Sequence, residues 1–281
     1  MNNLPDGQLN QNYNNDGDEI DLRELFHVLF LGKRIIVAVT AVASIIGVVY
    51  SLSLPNIYQS DALLVSVGSS DDMSGTLGGM SSFAAIAGIA LPSAGGKGNS
   101  LKAIEKLSSL SFFENNILPY IFLPDLMALK SWDFQKNTLA YDENLYKKNT
   151  NAWVREPTAQ ESFRVFIGNH FNLSQDDFTG FLTLTIKHQS PYIAKQWAEL
   201  LIDQVNIFYK QKDKSESEKA VSYLNQQIRT TSLSEVKEAI AELLQQETKK
   251  LTLIEARQSY VFEYIDPPAV KERKSEPARA I

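Results

Sequence analysis

The sequence predicts an α+β fold: a membrane-anchored domain with a small mixed sheet at its membrane-proximal base and a long helical hairpin. Three observations carry this. An uncharged stretch near the N-terminus is long enough to cross a bilayer, strand-like segments open and close the remainder, and one helical pattern after Pro191 runs far beyond an ordinary globular helix.

Composition sets the outer limits. With 281 residues, 44% apolar and 21% charged, the chain can bury a core, which excludes wholesale disorder. The net charge is -6, and no Lys/Arg cluster stands outside the last residues, so nucleic acid is not an expected partner. There is no cysteine, which removes disulfides, thiolate metal sites and a Cys nucleophile together.

Residues 1–34 form a cytoplasmic N-terminal segment. Its first 18 residues, rich in Asn and Asp, match a disordered tail. Glu19 to Phe30 then follow an amphipathic helical pattern through Ile20, Leu22, Leu25, Phe26 and Leu29. Residues 35–54 carry no charge, and at about 1.5 Å per residue they span the roughly 30 Å hydrocarbon core of a bilayer. Lys33 and Arg34 precede this span directly, and the next Lys or Arg is Lys97, so these two residues set the N-terminus in the cytoplasm and everything after Leu54 on the far side. The acidic lead, with Asp16, Asp18, Glu19 and Asp21, is unlike a short basic signal-peptide start, so an uncleaved anchor is expected. Tyr50 suits the interfacial belt, and Ala43 with Gly47 leaves a small face for another helix.

Residues 55–190 make the first part of an α/β base. Ile57 to Val67 is β-branched and partly alternating, hence a strand. Gly68 to Ser100 is rich in Gly and Ser but encloses Phe83 to Leu91, too short to cross a membrane and read as a loop or short helix. Ser93 to Ser100 resembles a phosphate loop only superficially: Leu91 stands where a Walker A needs its first Gly, and Gly98 follows Lys97 where Ser or Thr is required. Ser100 to Leu118 reads as a helix, and an aromatic and polar excursion follows through Trp132, Trp153 and Pro157. Thr158 and Glu161 stand at capping-box spacing and start another helix. Phe181 to Lys187 alternates as a strand, and Ser190-Pro191 is an N-cap followed by proline at the first helical position.

Residues 191–256 form the helical hairpin. Ala194, Trp197, Leu200, Leu201, Val205 and Phe208 keep one face, the charged run Lys210 to Lys219 follows, and Val221, Leu224 and Ile228 resume the stripe. Hydroxyl and β-branched residues in Arg229 to Glu235 favour a break, after which Val236, Ile240, Leu243, Leu244, Leu251 and Ile254 carry the return helix. The first arm reaches about 55 Å. A rod of that length needs a partner arm or other copies, and Trp197, Leu201, Leu224 and Ile228 are the candidate contact face. Lys212/Glu216 and Lys214/Glu218 lie at i,i+4 spacing, as on a solvated helix face. Residues 257–281 hold a return strand, Tyr260 to Ile265, expected to pair with the first strand close to the membrane, and then a Pro-containing exit.

Signatures of chemistry are missing. His27, His170 and His188 have no ligand spacing, no Gly-x-Ser-x-Gly elbow occurs, and the adjacent pairs Asp142-Glu143 and Asp176-Asp177 suit turns and caps better than acid–base work. No catalytic, metal or cofactor-binding residue is assigned, and no cofactor is expected.

The layout nevertheless resembles a known family. "LPNIYQSDALL" after the first span, "HQSPYIAKQWAELLIDQVN" before the rod, and "YVFEYIDPP" with Pro277 at the end are similar to the Wzz-type chain length determinants, the class 1 polysaccharide co-polymerases. The resemblance covers nearly everything after residue 19 and is weakest over residues 126–155. It implies a bacterial inner-membrane protein, mostly periplasmic, assembling as a homo-oligomeric ring. Its partners would be the membrane, a repeat-unit polymerase and undecaprenyl-linked oligosaccharide. Its role would be to set the modal length of O-antigen or a related polysaccharide without a catalytic site of its own. The family continues into a second transmembrane helix, so one is expected after Ile281. Two other classes stay open: a periplasmic adaptor in polysaccharide or small-molecule export, and the transmembrane activator part of a tyrosine autokinase co-polymerase.

Overall fold

A computed structural model describes residues 22–67 and 96–278. The Asn/Asp-rich tail, Glu19 to Asp21, the Gly/Ser-rich stretch from Gly68 to Gly95 and the helical reading of Phe83 to Leu91 lie outside the described residues. The chain divides into two units, Met1–Leu54 and Pro55–Ile281.

In the first unit, α1 (Leu22–Ser53) is one continuous helix. From Leu22 the stretch read as amphipathic runs into the span without a break. Gly32–Ser53 is long and apolar enough to cross a membrane, and none of it is buried by protein.

The second unit is built on a four-stranded sheet of β1 (Tyr58–Ser66), β6 (Phe171–Gln175), β7 (Leu182–His188) and β8 (Phe262–Asp266), in the order β6-β7-β1-β8. Every pairing is antiparallel, where the sequence suggested a mixed sheet. The reason lies in the connections. β6 and β7 form a hairpin, and the out-and-back arm returns β8 in the same direction as β7, with β1 inserted between them. Tyr58, Ser60, Ala62 and Leu64 alternate inward along β1, as the period of two requires.

Over this sheet lies α5 (Pro191–Thr230), a 40-residue helix that rises about 60 Å. Its first half buries Ile193, Ala194, Trp197, Ala198, Leu201, Ile202, Val205 and Tyr209 at three- and four-residue spacing, against Leu64, Leu184 and Ile186 of the sheet. Each large side chain so enclosed contributes about 1.5–3 kcal/mol. Trp197 and Leu201, named as contact-face candidates, are therefore interior residues of their own subunit, 3% and 1% exposed. Both belong to the sheet-facing stripe and are unavailable to another copy. The return helix α6 (Ser234–Ala256) starts where the sequence breaks.

A helical layer completes the core. α2 (Gly96–Leu107) begins earlier than expected and stops at Ser109, whose side chain accepts from the Phe112 N–H at 3.3 Å and starts a new helical run over residues 110–120. Then come α3 (Leu123–Met127) and α4 (Ala159–Val165). α4 opens on the expected capping box: the Glu161 N–H donates to Thr158 Oγ1, and the Thr158 N–H donates to Glu161. Between α3 and α4 the excursion forms two hairpins, β2 (Leu129–Asp133) with β3 (Thr138–Tyr141), and β4 (Tyr146–Lys147) with β5 (Ala152–Trp153).

The exit segment closes the unit. Ile57 bridges to Glu276, the Ser275 N–H donates to the Ile57 carbonyl at 2.8 Å, and Ser60 Oγ donates to the Ala269 carbonyl at 2.9 Å. The last described residues thus lie beside the residue that starts the sheet.

Candidate functional site

The arm is fastened at its foot by the charged run. Lys210 Nζ donates to the carbonyls of Glu255 and Arg257 at 3.2 and 2.7 Å, satisfying the free end of α6. Lys214 pairs with Glu255, and the bond holds the Glu255 carboxyl below its usual range. Tyr260 Oη donates to Asp213 at 2.6 Å; burial first, and this bond second, push the phenol up. The run expected to be a solvated face therefore also docks the returning chain, although Lys212–Glu216 and Lys214–Glu218 approach to 3.9 Å along the surface as their spacing predicts.

Asn206 fixes the other side of the joint. Its Oδ1 accepts from the N–H groups of Val261 and Phe262 at 2.8 and 3.0 Å, while Nδ2 donates to the Phe262 carbonyl at 3.0 Å. One amide thus substitutes for a neighbouring strand.

Farther along, the arm presents apolar side chains to solvent. Leu224 and Ile228 are half-buried, whereas Tyr223 and Leu233 are 61% and 67% exposed, and Val236 and Leu243 are exposed on α6. Lys33 and Arg34 lie in α1, immediately before the uncharged span.

Sheet register unites two histidines that spacing along the chain kept apart. His170 and His188 have ring centroids 5.7 Å apart, and both rings meet Trp197. His188 Nδ1 accepts from the Ser190 N–H at 2.9 Å, so its Nε2–H donates to the Asp125 carbonyl at 3.1 Å. Burial pushes this imidazole down to about 4. His170 donates from Nδ1 to the Lys187 carbonyl at 2.7 Å, and burial lowers it as well. Both are neutral hydrogen-bonding rings at neutral pH. A cleft of about 440 Å³ beside them is lined by Asp125, Gly168, His170, Lys187, Gln189 and Glu276, with Lys187 Nζ held by Glu276 at 2.6 Å. Among the described residues no three His, Asp or Glu side chains converge as metal ligands.

The acidic pairs sit in turns. Asp142 Oδ1 accepts from the Asn144 N–H, and Asp176 Oδ1 accepts from the N–H groups of Phe178 and Thr179, which hold the Asp176 carboxyl below its usual range.

Comparison with known proteins adds the following. Residues 18–114 match the family model described as chain length determinant protein, Wzz. Among solved structures the chain is similar to one described as a full-length bacterial polysaccharide co-polymerase, with 16% identity and a TM-score of 0.37 over 92% of this chain and 90% of that one. No curated protein matches the chain.

Proposed function

We propose that this Wzz-type chain sets the modal length of a bacterial polysaccharide, O-antigen or a related polymer. It acts as a non-catalytic oligomeric scaffold beside the repeat-unit polymerase and its undecaprenyl-linked oligosaccharide. The match of residues 18–114 to the chain length determinant family carries this reading. It is supported by the span Gly32–Ser53 and by the exposed apolar side chains of the arm. In this reading α1 anchors the chain in the inner membrane, the second unit is periplasmic, and copies associate in a ring through α5 and α6. Half-buried Leu224 and Ile228 and exposed Tyr223, Leu233, Val236 and Leu243 would contribute to that contact.

Deleting the gene tests the role. Polymer should still be made while its band ladder on a gel loses the preferred length. An unchanged ladder would refute chain-length control, and complete loss of polymer would point to export instead.

A further inference from the structure

One rim of the sheet carries an exposed aromatic group. Tyr58 opens β1, and its ring packs edge-on against Trp132 with centroids 5.3 Å apart. Trp132 meets Phe134 at 5.8 Å and Tyr192 at 6.4 Å. Tyr58 is buried and anchors the group, while Phe134 is 71% and Tyr192 52% exposed.

The turn that presents these rings is held by hydrogen bonds. Asp133 Oδ1 accepts from the N–H groups of Gln135 and Lys136 at 2.8 and 3.2 Å, and Trp132 Nε1 donates to Asn137 Oδ1 at 2.9 Å. Asn137 takes a left-handed φ of 47° that closes the hairpin. Exposed Lys130 and Lys136 stand in the same hairpin. Half-buried Trp132 thus carries exposed Phe134 and Tyr192 on a fixed turn, rings available to a contact.

Chain connectivity selects what covers it. Tyr58 stands four positions after Leu54, the end of the uncharged span, a reach of roughly 14 Å when fully extended. The pairing of Ile57 with Glu276 brings the exit segment to the same rim. Trp and Tyr, apolar in body and polar at one end, settle at the headgroup level of a bilayer, and lysines beside them extend toward phosphate.

We propose that Trp132, Phe134 and Tyr192 form a membrane-docking patch, inserted among the lipid headgroups of the bilayer that α1 crosses and fixing the second unit against it. This rests on the reading of Gly32–Ser53 as a membrane span.

Full-length protein in phosphatidylcholine nanodiscs, with and without lipid brominated at shallow acyl positions, provides the test. Co-purification with the discs reports on the span by itself. In Trp153→Phe protein, tryptophan emission should be quenched by the brominated lipid, and adding Trp132→Phe should remove most of the quenching, because the remaining Trp197 is buried. Adding Phe134→Trp to that background should restore it. Equal quenching with and without Trp132→Phe in the Trp153→Phe protein, or an unquenched Phe134→Trp, would overturn the proposal. So would emission that answers to added oligosaccharide but not to brominated lipid, which would assign the rings to a glycan.

Discussion

Asn206 shows how much one side chain can decide. It supplies the acceptor for two backbone N–H groups at the start of β8 and a donor for one carbonyl, so Asn206→Leu leaves them without partners beside the core. The expected cost is about 2–3 kcal/mol, measured as a lower denaturation midpoint with an unchanged slope. His188 gives a pH signature. Its folded pKa, about 4, lies below the ordinary imidazole value of 6.5. As pH falls below about 6.5 the unfolded chain takes up a proton that the folded chain refuses, and stability drops until about pH 4, by about 3 kcal/mol in all. His170 acts in the same direction, whereas Asp125, raised by burial, opposes it. The lowered carboxyls of Glu161, Asp176 and Glu255 lose their contributions only below about pH 4.5. Unfolding free energy between pH 6.5 and 4.5 should thus fall in wild type and flatten in His188→Gln, whose amide can replace both ring bonds. The capping box at Thr158 and Glu161 was legible because it is local. The histidine pair was not, since only the register of β6 on β7 brings residues 170 and 188 together.

Legibility at the level of elements follows the same division between local and non-local cause. β1, β7, β8 and the two arm helices announce themselves through alternation or through a long three- and four-residue stripe. β2 to β5 are two to five residues long, too short to show a period, and their aromatic residues suit loops as well as strands. Trp197 and Leu224 lie on one continuous helix, but the sequence did not say that the first is buried in the core against the sheet while the second is only half-buried on the outer arm. That difference predicts separable effects. Leu224→Pro removes a hydrogen bond in the outer half of α5 and costs roughly 3 kcal/mol there. Helical circular dichroism should fall while the emission of buried Trp197, 3% exposed and read with Trp132 and Trp153 replaced by Phe, is unchanged. In cells carrying this variant the preferred polymer length should shift while polymer is still made. A red-shifted Trp197 spectrum would instead mean that arm and base unfold as one unit.

For the molecule as a whole, the unresolved balance lies along the arm. Its foot is closed by the core, Lys214–Glu255 and Tyr260–Asp213, yet its outer half shows Tyr223, Leu233, Val236 and Leu243 to solvent. Exposing such residues singly is ordinary, but several of them on one arm are apolar area that association can bury, at about 25 cal/mol per Å². Each copy presents the same residues, so copies of the chain can bury them against one another. The full chain in mild detergent should therefore give a mass several times its 31.4 kDa by light scattering. Tyr223→Lys with Leu233→Lys should lower that mass without altering the unfolding transition, because neither residue belongs to the core. If ring size underlies length control, the same double variant should broaden the polymer ladder. A monomeric wild-type particle, or an undiminished assembly in the variant, would remove the arm from the contact.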